Sequence, residues 1–109
     1  MVVAHAKQTP RRFRGLPVAL LRDGRAVPVA SSARSRLLGL AGLDPGRVAG
    51  LLIPGCRSVH TIGMRFALDL HFLDAQGLAV SVRRCVGPGR FAREARARSV
   101  LELPCGRAS

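Results

Sequence analysis

The sequence predicts a mainly β fold, a small antiparallel β sandwich or partial barrel with one or two short helices. Five or six short apolar runs are separated by turn-forming residues, the longest alternates apolar and polar positions at period two, and helical signals are confined to brief stretches. At 109 residues there is room for one core, so a ligand pocket has to lie at the surface or at one end of it.

Residues 1–14 are polar and basic without periodicity and read as a flexible basic leader, followed by a single β-rich domain over 15–109. Residues 16–22 and 25–30 are apolar runs on either side of Asp23-Gly24, a dipeptide suited to both central positions of a type I′ turn, which predicts a hairpin. Pro17 and Pro28 have no N–H and belong at strand ends or on an edge. Ser31 or Ser32 caps a helix over 33–40, with Leu37, Leu38 and Leu40 as its buried stripe. Asp44-Pro45-Gly46 reads as a turn, and 50–53 as a buried strand stopped by Pro54-Gly55.

A dense polar segment from Val59 to Arg65 then runs into a strand in which Leu68, Leu70 and Phe72 alternate with Asp69, His71 and Leu73. Asp74-Ala75-Gln76-Gly77 turns this strand into 78–86, predicting a second hairpin with Leu78, Val80 and Val82 on one face. Gly87-Pro88-Gly89-Arg90 breaks it; it lacks the lysine and hydroxyl residue of a phosphate loop and reads as a turn. Residues 91–98 suggest a short helical turn pairing Glu94 with Arg98, and 99–103 a last strand.

The net charge of +12 arises from 17 arginines and one lysine against six acids, a field that attracts polyanions. Three cysteines, an odd number at long intervals, do not read as a disulfide framework, so Cys56, Cys85 and Cys105 are expected as free, packed thiols. No stretch approaches the roughly 20 apolar residues of a membrane span, and residues 1–10 lack the apolar run of a secretory signal. The expectation is a soluble cytoplasmic protein with no membrane partner and no cofactor.

Several motifs resemble a known family in order and spacing. Arg36-Leu37-Leu38-Gly39-Leu40, Ala49-Gly50-Leu51-Leu52-Ile53, Leu68-Asp69-Leu70-His71-Phe72-Leu73-Asp74, and Leu101-Glu102-Leu103 followed by Gly106 are similar to the uncharacterised family called domain of unknown function 192, over approximately residues 15–106. The resemblance implies a small, mainly β, sandwich-type fold and no settled activity. The family's common Trp-Met-Lys-Asn-Thr segment stands here as His60-Thr61-Ile62-Gly63-Met64, so roles tied to its Trp, Lys or Asn do not transfer. Similar proteins continue beyond the position of Ser109, and a missing closing strand would leave an exposed edge.

The candidate ligand-binding residues are His60, Thr61, Arg65, Asp69 and Glu102. An imidazole, a hydroxyl and a guanidinium fork can together hold an anion or carboxylate, although loop hydrogen bonds and ion pairs account for the same residues. Asp69 and Asp74 face opposite sides of a strand, about 16 Å apart, and do not form a catalytic pair. Glu102 lies opposite Leu101 and Leu103 in the alternation, so if buried it needs an arginine partner. Cys56, His60, Cys85 and Cys105 would make a tetrahedral zinc set, without the spacing of a known motif. Cys56 beside His60 is a weaker thiol-nucleophile reading, because no third, orienting group is identifiable.

The leading expectation is therefore a ligand- or protein-binding module of unknown biochemical role with a polar site at residues 60–69, bound by a small ligand or a protein. The alternatives are a basic accessory protein that contacts nucleic acid non-specifically or another acidic surface, and a metal-dependent or thiol enzyme. With no Trp or Tyr and four Phe, the chain offers few platforms on which bases could stack.

Overall fold

The alternation of Leu68, Leu70 and Phe72 organises the molecule: in the computed structural model, which describes residues 10–44, 46 and 48–106, all three are 0% exposed. The elements in chain order are a 3-10 turn at Arg11–Phe13, β1 (Val18–Leu20), β2 (Ala26–Pro28), α1 (Ala33–Leu38), β3 (Leu51–Pro54), β4 (Ser58–His60), β5 (Leu68–Leu73), β6 (Ala79–Val86), β7 (Phe91–Arg93) and β8 (Ser99–Pro104). A four-stranded antiparallel sheet runs in the order β3-β8-β5-β6, and β1-β2 and β4-β7 form two-stranded ladders.

Period two divides the large sheet into two apolar faces. Leu51, Ile53, Leu70, Phe72 and Val100 join Phe13, Leu40, Val59, Met64 and Ala92 in the main core, beneath α1 and the β4-β7 ladder. Leu101 and Leu103 face the other way and pack with Val27, under the β1-β2 hairpin. The fold is mainly β and antiparallel as the sequence predicts, and no barrel closes among the described residues.

The first hairpin forms, but not with the expected turn. Leu21 N donates to Arg25 O (2.7 Å) and Gly24 N to Leu21 O (2.9 Å), which puts Arg22 and Asp23 at the centre and Gly24 after them at φ 92°. Only the glycine takes positive φ, so this is a three-residue loop ending in a glycine bulge rather than a type I′ turn. The helix is capped as expected: Ser32 and Ser35 each bond the other's backbone N–H in a capping box. It ends at Leu38, two residues short of the expected span, and Leu37 is 72% exposed because the helix packs through Ser35 and the following Leu40.

Three further expectations are corrected. Phe91–Arg93 is a strand, not a helical turn, because Val59 and Ala92 pair across β4-β7, and Glu94 bonds Arg96 (3.1 Å) rather than Arg98. Cys85 and Cys105 are joined in a disulfide with Cα atoms 5.0 Å apart, since β6 and the end of β8 flank the same end of β5. Arg11–Phe13 belongs to the fold rather than to the leader: Phe13 is buried, and Arg12 donates from Nε to Gly39 O (3.1 Å) and from its terminal nitrogen to Ala41 O. Residues 1–9 of that leader, and the Pro45 of the expected 44–46 turn, lie outside the described residues.

Candidate functional site

Glu102 occupies the centre of the large sheet. Its register partners are Leu51 on β3 and Leu70 on β5, both fully buried, so the carboxylate's lateral neighbours offer no donor. The sequence alternation sends it to the face opposite Leu101 and Leu103, where it is 4% exposed. Burial pushes its pKa up from the usual carboxylate value to about 7. Among the described residues no ion pair reaches it, and the arginine partner expected from the sequence is not found there.

The carboxylate looks into a groove of about 610 Å³ between the α1 segment and β3-β4. Leu40, Ile53, Val59 and Met64 supply apolar wall, with Arg36, Cys56 and His60 as further lining. Gly39 makes the approach of the helix end possible: a methyl there would stand 3.3 Å from Glu102 Oε1, at a φ of 53° that favours glycine. Arg36, in the last turn of α1, donates to Pro54 O at the end of β3 and so ties the two walls together.

Cys56 is half-buried, and its thiol donates to Ser58 O at 3.0 Å. Burial raises its pKa foremost and Glu102 adds to the rise, while backbone hydrogen bonding at Ser58 and the charge of Arg36 oppose it. A thiol held protonated is the reverse of an activated nucleophile. His60 Nδ1 accepts from Ile62 N at 3.3 Å, which commits that ring nitrogen to the backbone.

The groove thus brings together His60 and Glu102 of the five predicted ligand-binding residues. Thr61 is buried elsewhere: its Oγ1 donates to Gly87 O (2.7 Å) and accepts from Arg90 N (2.7 Å), stapling two turns. Arg65 pairs with Asp44 at 3.1 Å on the surface. Asp69, 4% exposed, accepts from Cys85 N at 2.8 Å and lies 3.4 Å from an Arg84 nitrogen, where it holds the irregularity at which Cys85 adopts φ 48°.

The zinc quartet does not assemble. Among the described residues the one group of three or more ligand-type side chains is Asp69, Cys85 and Cys105, within 4.8 Å of one another, and its two sulfurs are bonded to each other. Cys56 and His60 line the groove instead. Sequence reasoning missed Gly39, Met64 and the lining role of Arg36; the signal within reach was the capped helix followed by a glycine, which announces a backbone that can pass close to a neighbour.

Fold and groove together define a small, mainly β protein with a half-open groove against one face of its large sheet. The family model described as "Uncharacterized ACR", domain of unknown function 192, matches residues 20–109, and the chain belongs to that family. Two crystal structures share the fold. One, from Sinorhizobium meliloti 1021 and named as a candidate transcription regulator, has 20% identity and a TM-score of 0.63, covering 82% of this chain and 78% of that one. The other, a protein of unknown function from Novosphingobium aromaticivorans DSM 12444, has 15% identity and a TM-score of 0.61, covering 92% and 89%. No curated protein matches the sequence.

Proposed function

We propose that the protein is a binding module for a small, uncharged organic molecule with an apolar body and a head that both donates and accepts hydrogen bonds, such as a primary amide. The observation that carries this reading is the Glu102 carboxyl, 4% exposed, facing an otherwise largely apolar groove of about 610 Å³. That volume falls within the roughly 300–1,000 Å³ of small-molecule sites, which combine apolar walls with few polar groups.

The chemistry of the head follows from the charges. With a pKa of about 7, Glu102 interchanges between donor and acceptor near neutrality, and an amide complements both forms. A net charge of +12 opposes a cationic ligand, and an anionic one would be driven against the ionised carboxylate. The protonated Cys56 thiol supports binding over nucleophilic chemistry.

Titration of isotope-labelled protein with hexanamide, hexylamine and hexanoate tests this. Saturable NMR shifts at Gly39, Ile53, Met64 and Glu102 are expected with the amide foremost, with affinity weakened roughly 5- to 150-fold in Glu102→Met, since losing a buried hydrogen bond costs about 1–3 kcal/mol. The reading fails if no probe gives saturable shifts at the groove, or if Glu102→Met binds the amide as tightly as the parent.

A further inference from the structure

The β4-β7 ladder has an outward face whose β4 residues, Ser58 and His60, border the groove and whose β7 residues, Phe91 and Arg93, lie beyond it. His60 pairs with Phe91 and Ser58 with Arg93, so these four side chains share one side, while Val59 and Ala92 turn inward to the core. All four outward residues are exposed, Phe91 to 71%. Of the chain's four phenylalanines it alone is exposed: Phe13 and Phe72 are buried and Phe66 is half-buried. An aromatic ring displayed beside an imidazole forgoes burial that the core would reward.

The surroundings are basic. Residues 83–98 contain six arginines and one acid, and that acid, Glu94, is paired with Arg96. The other carboxylate near this strand, Asp69, is buried and faces Arg84. Arg83 donates to Arg93 O at 2.9 Å, which fixes it next to β7, and Arg83, Arg90 and Phe91 line a shared cleft of about 350 Å³. Cationic side chains flanking displayed ring faces are the combination that holds unpaired bases, phosphates on the charges and bases on the rings.

We propose that this face binds single-stranded nucleic acid, with Phe91 and His60 stacking against bases and Arg83, Arg90 and Arg93 contacting phosphates. A duplex hides its base faces, so the platform selects for single strands. Few aromatics do not preclude stacking where register sets one ring outward beside arginines.

Fluorescence anisotropy with labelled oligo-dT and oligo-A RNA of about ten nucleotides, within the usual site-size range, tests the proposal. Three phosphate contacts predict affinity falling about 20-fold between 50 and 200 mM salt, with a slope near −2, and Arg90→Ala should make that slope shallower by about 0.7. Phe91→Ala should weaken binding about 5- to 150-fold with the salt slope unchanged, while Phe91→Tyr, which keeps the ring, retains affinity. Glu102→Met should bind like the parent, so failure of the groove reading leaves this one standing. No binding at 50 mM salt, undiminished binding by a folded Phe91→Ala, or a duplex bound as tightly as the single strand would overturn it.

Discussion

Glu102 makes the folded protein sensitive to pH in a direction opposite to that of a paired carboxylate. Its folded pKa of about 7 stands above the ordinary value of 4.5, so between these values the native state binds more protons than the unfolded chain. Stability from this group is complete below about pH 4.5 and is lost as pH rises through 7. A difference of this size corresponds to about 3 kcal/mol at 1.36 kcal/mol per unit, a large share of the roughly 5–15 kcal/mol that holds a domain together.

Urea unfolding of the parent and Glu102→Gln at intervals from pH 4 to 8 isolates the effect. His71 requires the comparison: burial lowers its pKa foremost, so its own contribution is lost as pH falls below 6.5, against the Glu102 trend. Because His71 is common to both proteins, it cancels in the difference. The variant is expected to gain on the parent progressively from pH 4.5, by about 3 kcal/mol at pH 8, which corresponds to a midpoint rise of roughly 10–20 °C in thermal melts. Parallel curves across this range would refute the reasoning that Glu102 is buried without a compensating partner.

Two predictions concern the scaffold. A methyl added at Gly50 would lie 2.6 Å from Leu103 Cδ2 and 2.7 Å from the Glu102 carbonyl oxygen, so Gly50→Ala should cost at least the roughly 1–3 kcal/mol typical of overpacking, read as a lower urea midpoint; an unchanged midpoint would contradict the close approach of β3 and β8. The Cys85–Cys105 bond closes a loop with a sequence separation of 20 residues. On the chain-entropy account, a loop of that order contributes about 3 kcal/mol, so a dithiol reductant should lower the midpoint while leaving Cys85→Ser/Cys105→Ser, already weakened, unaffected.

Periodicity made the frame legible. Leu68, Leu70 and Phe72 announce a core strand, Asp74 announces its turn by accepting from Gln76 N and Leu78 N, and Ser32 caps α1 as its hydroxyl suggests. What depended on tertiary pairing did not show. Phe91 to Arg93 became a strand because β4 lies beside it, and Cys85 met Cys105 because two strands distant in sequence border one end of β5. The polar density of residues 60–69 was a guide to position and a poor guide to role: Thr61 and Asp69 spend their oxygens on backbone N–H groups and Arg65 meets Asp44, leaving His60 to line the groove.

Glu102 shows why a site assembled from distant segments escapes a reading along the chain. The alternation marked Glu102 as a candidate facing away from Leu101 and Leu103 and pointed to an arginine partner; the register that sets it between Leu51 and Leu70 removes the lateral partners, and Gly39 admits the helix end above it. In stability terms an apolar side chain of similar volume would be favoured there above neutral pH, by the free energy that desolvation charges against the carboxylate. A group that opposes folding above neutral pH yet lies open to a groove is the arrangement that supports a binding role, because a ligand's donor relieves on association the desolvation that no ion pair among the described residues offsets.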